Sequence, residues 1–220
     1  MKLPRRPAAV IFDMDGLLFD TEALYHDALH LAAAEHRHQI PPDFFTTTVG
    51  LPWAQCRLLF LSRFGADFPV DDFQATWVRH FWVIAETGLA LKPGALELLD
   101  TLDQLRLPRA IATSSSRQTV DRHLTTHDLT GRFDAIVGHG DCERGKPAPD
   151  PFLLAAQRLQ AEPAICLALE DSPNGVRSAA AAGMMTVMVP DRLEPTAEVA
   201  ALCTVIARDL HEVRRLILEF

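Results

Sequence analysis

Lysine is almost missing from this chain: Lys2, Lys92 and Lys146 are the only three in 220 residues. Acidic side chains outnumber basic ones, 29 to 21, and the formal charge is −8. That balance excludes a nucleic-acid surface, because phosphate backbones are bound by clustered basic residues. Any anionic ligand must therefore be held locally, by a metal ion, backbone amides and a few cations. No stretch reaches the roughly 18 consecutive apolar residues of a membrane-spanning helix, so no membrane partner is expected. The basic start, Met1 to Pro7, has no apolar segment of its own and soon meets a strand-like run, which is not the layout of a secretory signal. Cysteine is sparse too: Cys56, Cys142, Cys166 and Cys203 are scattered and form no pair of metal-site spacing. Free thiols in a reducing cytoplasm are expected.

What is present is a chain that is 48% hydrophobic and long enough to bury a sizeable core. Three stations along it carry ionisable residues: Asp13-Met14-Asp15-Gly16, Lys146-Pro147 and Glu170-Asp171-Ser172. The two acidic stations each follow a continuous apolar run, Ala8 to Phe12 and Ile165 to Leu169. Runs of this kind read as strands buried on both faces, as in a parallel sheet. Acids at the carboxyl ends of parallel strands converge on the crevice where such sheets bind ligands. Converging carboxylates stay ionised only beside a compensating cation. A hard divalent ion of the Mg²⁺ type, with oxygen ligands and bound phosphate, suits them.

After about residue 90 strand-like runs alternate with helical ones. The strands are Arg109 to Thr113, Ala135 to Val137, Ile165 to Leu169 and Met185 to Val189. The helices are Gly94 to Leu105, Arg117 to His127, Pro151 to Gln160 and Asn174 to Ala182, with Asp150 read as the N-cap before Pro151. Alternation predicts βαβ units and an α/β fold with a doubly wound parallel, Rossmann-like sheet. Residues 21–88 differ, with apolar residues at helical spacing and breaks at Pro41-Pro42 and Gly65 to Pro69. They predict an α-helical bundle inserted after the first strand, above the acids. The expected organisation is a catalytic core from 1–20 and 89–220 and a helical cap from 21–88.

The run Asp13-Met14-Asp15-Gly16-Leu17-Leu18-Phe19-Asp20-Thr21-Glu22 resembles the first motif of the haloacid dehalogenase superfamily. Thr113-Ser114, Gly145-Lys146-Pro147-Ala148-Pro149-Asp150 and Glu170-Asp171-Ser172-Pro173-Asn174-Gly175-Val176 follow in that family's order, with Ala179 to Met184 after them. The helical insertion is similar to that of the β-phosphoglucomutase-like branch. The resemblance implies a Mg²⁺-dependent phosphatase in which Asp13 attacks phosphorus and forms an aspartyl-phosphate. Asp15, two residues on and facing the same way, would protonate the leaving oxygen and then activate water. Glu170 and Asp171 would bind the metal with Asp13 and the backbone carbonyl of Asp15. Lys146 would neutralise the nucleophile and a phosphate oxygen. Thr113, or Ser114 with a one-residue shift, would supply the phosphate-binding hydroxyl, and Gly16 lets the chain approach the ligand. Ser115 or Ser116 is read as the cap of the next helix.

The branch is argued from what the insertion contains. Asp15 counts against dehalogenation, which has no alkoxide to protonate, and the absence of lysine from 21–88 counts against Schiff-base phosphonate hydrolysis. A sugar-phosphate mutase is the rival. In mutases of this branch an arginine stands three residues after the cap's glycine; here Gly50 is followed by Leu51, Pro52 and Trp53. A phosphatase acting on a small phosphate ester, such as a sugar phosphate, is therefore expected, as a cytoplasmic monomer. Trp53, with Phe44 and Phe45, would wall the leaving group. Arg57, Arg79 and His80 are either a cap cation or a solvated face. Glu22 is either a gate at the hinge or a helix N-terminal acid.

Overall fold

In the computed structural model, residues 2–51 and 53–220 are described. Met1 and Pro52, both named above, lie outside the described residues. The chain divides into two compact units, Met1–Phe19 with Leu91–Phe220, and Asp20–Ala90.

The first unit is built on six strands: β1 Ala9–Phe12, β2 Arg109–Ala112, β3 Ala135–Val137, β4 Cys166–Glu170, β5 Met185–Met188 and β6 Val205–Ile206. All pair in parallel, in the order β3-β2-β1-β4-β5-β6. Every residue of β1, β2, β4 and β5 is buried, which is why these segments are predominantly apolar. On one face Ala9, Ile11, Ala110, Ala112 and Ala168 meet Phe152 and Ala155 of helix α6 (Asp150–Arg158) and Ala179 of α7 (Pro173–Ala181). The alternating residues Val10, Phe12, Ile111, Leu167 and Leu169 are just as buried on the other. The register does the positioning. Phe12 lies opposite both Ile111 and Leu169, so Asp13, just past β1, comes level with Glu170, the last residue of β4, and Thr113 follows β2 at the same carboxyl edge. The Asp13 amide donates to the Leu169 carbonyl at 2.9 Å.

Three local readings are corrected. Asp150 does not cap α6. It is the first residue of that helix, and its carboxylate accepts two bonds from Arg144 at 3.2 and 3.0 Å. Ile165 belongs to a 3₁₀ turn before β4, not to the strand. The chain beyond 190, for which the sequence announces no element, forms α8 (Ala197–Leu202), β6 and α9 (Leu210–Leu218). A local signal for α9 exists: Asp209 Oδ1 accepts from the Glu212 amide at 2.8 Å.

The second unit contains α1 (Thr21–Glu35), α2 (Trp53–Phe64) and α3 (Val70–Gly88), and no strand among its described residues. Its core is aromatic. Phe60, fully buried, lies 4.8 Å from Phe44, 5.3 Å from Phe73 and 5.7 Å from Phe68, ring centre to ring centre. Phe44 and Phe45 are therefore interior residues of this unit, not a wall for a ligand. A 3₁₀ turn over Phe45–Thr47 folds both rings inward. Trp53 is half-buried, with its ring 6.2 Å from Phe60.

Candidate active site

Asp13 directly follows β1 in a buried position, with 7% of its surface exposed. Across from it stands Lys146, whose Nζ donates to Asp13 Oδ1 at 2.5 Å and to Glu170 Oε1 at 2.5 Å. The same ammonium lies 5.1 Å from the centre of the Phe152 ring. The loop that delivers Lys146 is pinned from behind: the buried Ser178 hydroxyl donates to the Ala148 carbonyl at 2.5 Å.

Glu170 is wholly enclosed. While Oε1 takes Lys146, Oε2 accepts from the amides of Asp171 (3.1 Å) and Ser172 (3.2 Å) and from the Ser172 hydroxyl (3.1 Å). Ser172 in turn caps α7, its Oγ accepting from the Gly175 amide at 3.1 Å. A side chain at 175 is impossible in this arrangement, since a Cβ there would lie 1.8 Å from the Glu170 carboxylate. Gly175→Ala is accordingly expected to cost roughly 1–3 kcal/mol, as overpacked sites do, and to displace Glu170. A thermal melt and a Mg²⁺ titration of that variant check both halves of the expectation.

Ligand oxygens of Asp13, Glu170 and Asp171 all lie within 4.8 Å of one another, and all three residues are buried. Three buried carboxyl groups thus cluster around the Lys146 ammonium. Burial pushes the Asp13 carboxyl up to about 8; Lys146 opposes this, and the charges of Glu170 and Asp15 add to it. For Lys146, burial disfavours the ammonium, but Asp13 and Glu170 outweigh it and hold the pKa above the ordinary lysine value. The donors are hard oxygens with no imidazole or thiolate among them, and a divalent cation of the Mg²⁺ class matches both charge and chemistry.

Asp15 stands apart from that cluster. Its Oδ2 accepts from the Ser115 hydroxyl at 2.7 Å and from Thr113 Oγ1 at 3.4 Å. Thr113 Oγ1 also accepts from the Ser115 amide at 3.0 Å. Ser116, not Ser115, caps helix α5 (Arg117–Thr126). Ser114 is exposed, and with Thr113, Gly145 and Lys146 it lines a cleft of about 310 Å³. Gly16, at φ +83°, sits where a Cβ would lie 2.4 Å from Asp171 Oδ2, so the turn after Asp15 requires glycine twice over.

Sequence reasoning misses three residues here. Ser115 looks like a helix cap along the chain, and only the fold shows its hydroxyl on Asp15. His123 is buried; burial holds its pKa below the usual histidine value, although the charge of Asp15 pulls the other way. Asp191, in the turn after β5, pairs with Lys92 at 2.6 Å. None of the three lies in a motif, so only spatial position marks them. Glu22 and Trp53 belong to the helical unit. There Glu22 is half-exposed and raises the pKa of the Cys56 thiol, secondarily to burial. The cationic groups considered there are engaged: Arg57 with Asp71 at 3.3 Å, Arg79 and His80 with Glu35 at 2.7 and 2.9 Å.

A parallel sheet whose central strand is followed by a buried aspartate, faced by a lysine and by a carboxylate pair from the next strand, defines a hydrolase of the haloacid dehalogenase type. The chain belongs to the haloacid dehalogenase-like hydrolase family, whose profile matches residues 7–183. It is 36% identical over 196 residues to a Drosophila melanogaster protein of the pseudouridine-5'-phosphatase type, covering 86% of this chain and 84% of that one. It is 36% identical over 198 residues to protein CbbY of Cupriavidus necator, covering 83% and 78%. Among solved structures, a β-phosphoglucomutase-type protein of Thermotoga maritima superposes with a TM-score of 0.82 at 27% identity, over 96% of this chain and 98% of that one.

Proposed function

We propose that this chain is a Mg²⁺-dependent phosphatase that hydrolyses a small phosphorylated metabolite, such as a sugar phosphate, through an aspartyl-phosphate on Asp13. The observation that carries the reading is the buried set of Asp13, Glu170 and Asp171 with Lys146 bridging the first two. The chain is a phosphoric monoester hydrolase, and the phosphatase-type relative at 36% identity supports that class.

Each residue then has a task. Asp13 Oδ2, not held by Lys146, attacks phosphorus, splitting one displacement into two. Lys146 offsets negative charge on the nucleophile and on a phosphoryl oxygen. Asp15, oriented by Ser115 and Thr113, gives its proton to the departing oxygen and takes one from water in the second step. Thr113 or Ser114 supplies the phosphate-facing hydroxyl, and Gly16 keeps the approach open. Asp13, Glu170, Asp171 and the Asp15 carbonyl would hold Mg²⁺, which supplies charge stabilisation to the transferring phosphoryl group. With no helix among the described residues long and apolar enough to cross a membrane, and four free cysteines, we place the enzyme in the cytoplasm as a monomer.

The test is Mg²⁺-dependent hydrolysis of p-nitrophenyl phosphate. Activity should vanish with EDTA and return with Mg²⁺ but hardly with Ca²⁺, whose looser coordination suits the geometry less well. Full activity in chelator would sink the metal assignment.

Mutase activity would need a cation for a distal phosphate, and position 53 offers an indole instead. The pairing of Arg57, Arg79 and His80 with acids supports the phosphatase reading. We assign substrate choice to the helical unit, residues 21–88, through Glu22 and Trp53. Trp53→Ala should lower kcat/KM for a metabolite substrate by about tenfold, the order expected for a lost apolar contact, and leave a generic aryl ester little affected. An equal loss on all substrates would make Trp53 a packing residue of its own unit.

A further inference from the structure

We propose that Asp191 is an outer carboxylate of the cation site, accepting a hydrogen bond from a water of the hydrated ion; this rests on the reading that Asp13, Glu170 and Asp171 bind Mg²⁺. Asp191 follows β5 and its side chain is only 9% exposed. One oxygen, Oδ1, takes the Lys92 ammonium at 2.6 Å. The other, Oδ2, is buried with no hydrogen-bond partner among the described residues. A buried carboxylate oxygen left without a donor among the described residues is costly, which calls for a donor such as water.

The geometry says where that partner lies. A point one bond beyond the Gly16 Cα, where a Cβ would stand, is 3.5 Å from Asp191 Oδ2 and 2.4 Å from Asp171 Oδ2. Gly16 leaves this space clear between the two carboxylates. Mg²⁺ surrenders its waters reluctantly and usually keeps several, and carboxylates that orient the inner shell are a regular part of such sites. Lys92 cancels the charge of Asp191, so the pair adds an acceptor without further repulsion among the acids.

The experiment is calorimetric titration of Mg²⁺ into chelator-stripped wild type, Asp171→Asn, Asp191→Asn and Lys92→Met, with a melting curve for each. Asp191→Asn can keep an oxygen on Lys92 but then turns an amide donor toward the water. Its Kd for Mg²⁺ is expected to rise roughly 10–100-fold, the usual cost of losing an outer partner, with the stripped protein melting as wild type does. If wild type fails to bind Mg²⁺, or Asp171→Asn binds as tightly, the metal reading itself falls and this inference with it. If wild type binds and Asp191→Asn matches it, Asp191 is only the structural partner of Lys92. A Tm loss shared by Lys92→Met and Asp191→Asn, with Kd unchanged in both, likewise reduces Asp191 to that structural role.

An independent observation in the helical unit points to a transition-metal site on α1. His26 and His30 are one turn apart, and their Nε2 atoms approach to 3.3 Å. His26 Nδ1 lies 3.2 Å from Asp27 Oδ1; donating there leaves the lone pair on Nε2, the arrangement that orients imidazole ligands. The Phe45 ring holds the His26 ring edge-on at 5.3 Å. Two nitrogens 3.3 Å apart, each at the zinc–nitrogen distance of ~2.1 Å, subtend roughly 104° at the ion, close to tetrahedral. Imidazole selects Zn²⁺, Ni²⁺ or Cu²⁺ over Mg²⁺. Titrating Ni²⁺ in excess Mg²⁺, which occupies the carboxylates, should show one site that is lost in both His26→Ala and His30→Ala and kept in His38→Ala. Undiminished binding in either of the first two variants would overturn the assignment.

Discussion

Asp13→Asn is expected to abolish turnover, a loss on the order of 10⁶ in kcat as for other nucleophile deletions, in a protein at least as stable as the wild type. The activity half follows from the chemistry: an amide cannot attack phosphorus and cannot offer a charged oxygen to Mg²⁺. The stability half follows from burial. In the cation-free protein the Asp13 pKa is raised from 3.8 to about 8. Within that window the folded state keeps a proton that the unfolded chain has released, so folding stability falls as pH rises. Asparagine removes this dependence at nearly the same volume. Melting curves of the chelator-treated pair should therefore show the variant's Tm exceeding the wild type's by a margin that widens from pH 5 towards pH 8. A constant margin would mean Asp13 ionises freely, and residual turnover in the variant would overturn the covalent mechanism.

Lys146→Met carries the second large effect. The Lys146 side chain is only 7% exposed, and its ammonium is in hydrogen-bond contact with both Asp13 and Glu170. Methionine fills the space beside Phe152 but leaves two buried carboxylates facing each other. Removing one partner of a buried ionic cluster typically costs about 3–5 kcal/mol. Activity should fall alongside, because the phosphoryl group loses a neutralising charge. Mg²⁺ should partly restore the stripped variant, because it returns positive charge to the buried acids. A variant as stable as wild type at pH 8 in chelator would show that Lys146 contributes nothing net to folding.

The sheet and its catalytic edge are legible in the sequence because both depend on local patterns. Ala8 to Phe12 and Ile165 to Leu169 are apolar runs that end in acids, and a strand buried on both faces leaves no other composition. Parallel register then brings Asp13 and Glu170 together without further information. Past residue 190, β6 is two residues long and α8 six, too short for a periodic signal, whereas α9 is nine residues long and its Asp209 cap is there to be read. Phe44 and Phe45 mislead because an aromatic pair beside a loop looks the same whether it faces a ligand or a core. What decides is the 3₁₀ turn that follows, which the sequence does not announce. Ser115 and Asp191 escape for a different reason: each acts through a contact about 100 residues away, Ser115 with Asp15 and Asp191 with Lys92. No window along the chain contains both partners.

The scarcity of lysine has a practical side. Lys146 is enclosed by two carboxylates, and the Lys92 side chain, 20% exposed, is tied to Asp191. Lys2 is the one lysine among the described residues whose side chain stands in solvent. Amine-directed reagents that react with lysine should therefore attach dyes, cross-linkers or a sensor surface at Lys2 of the first unit and leave the second unit, which has no lysine, unmodified. A slow second labelling event, mapped to Lys92, would then time the opening of the turn that carries Asp191.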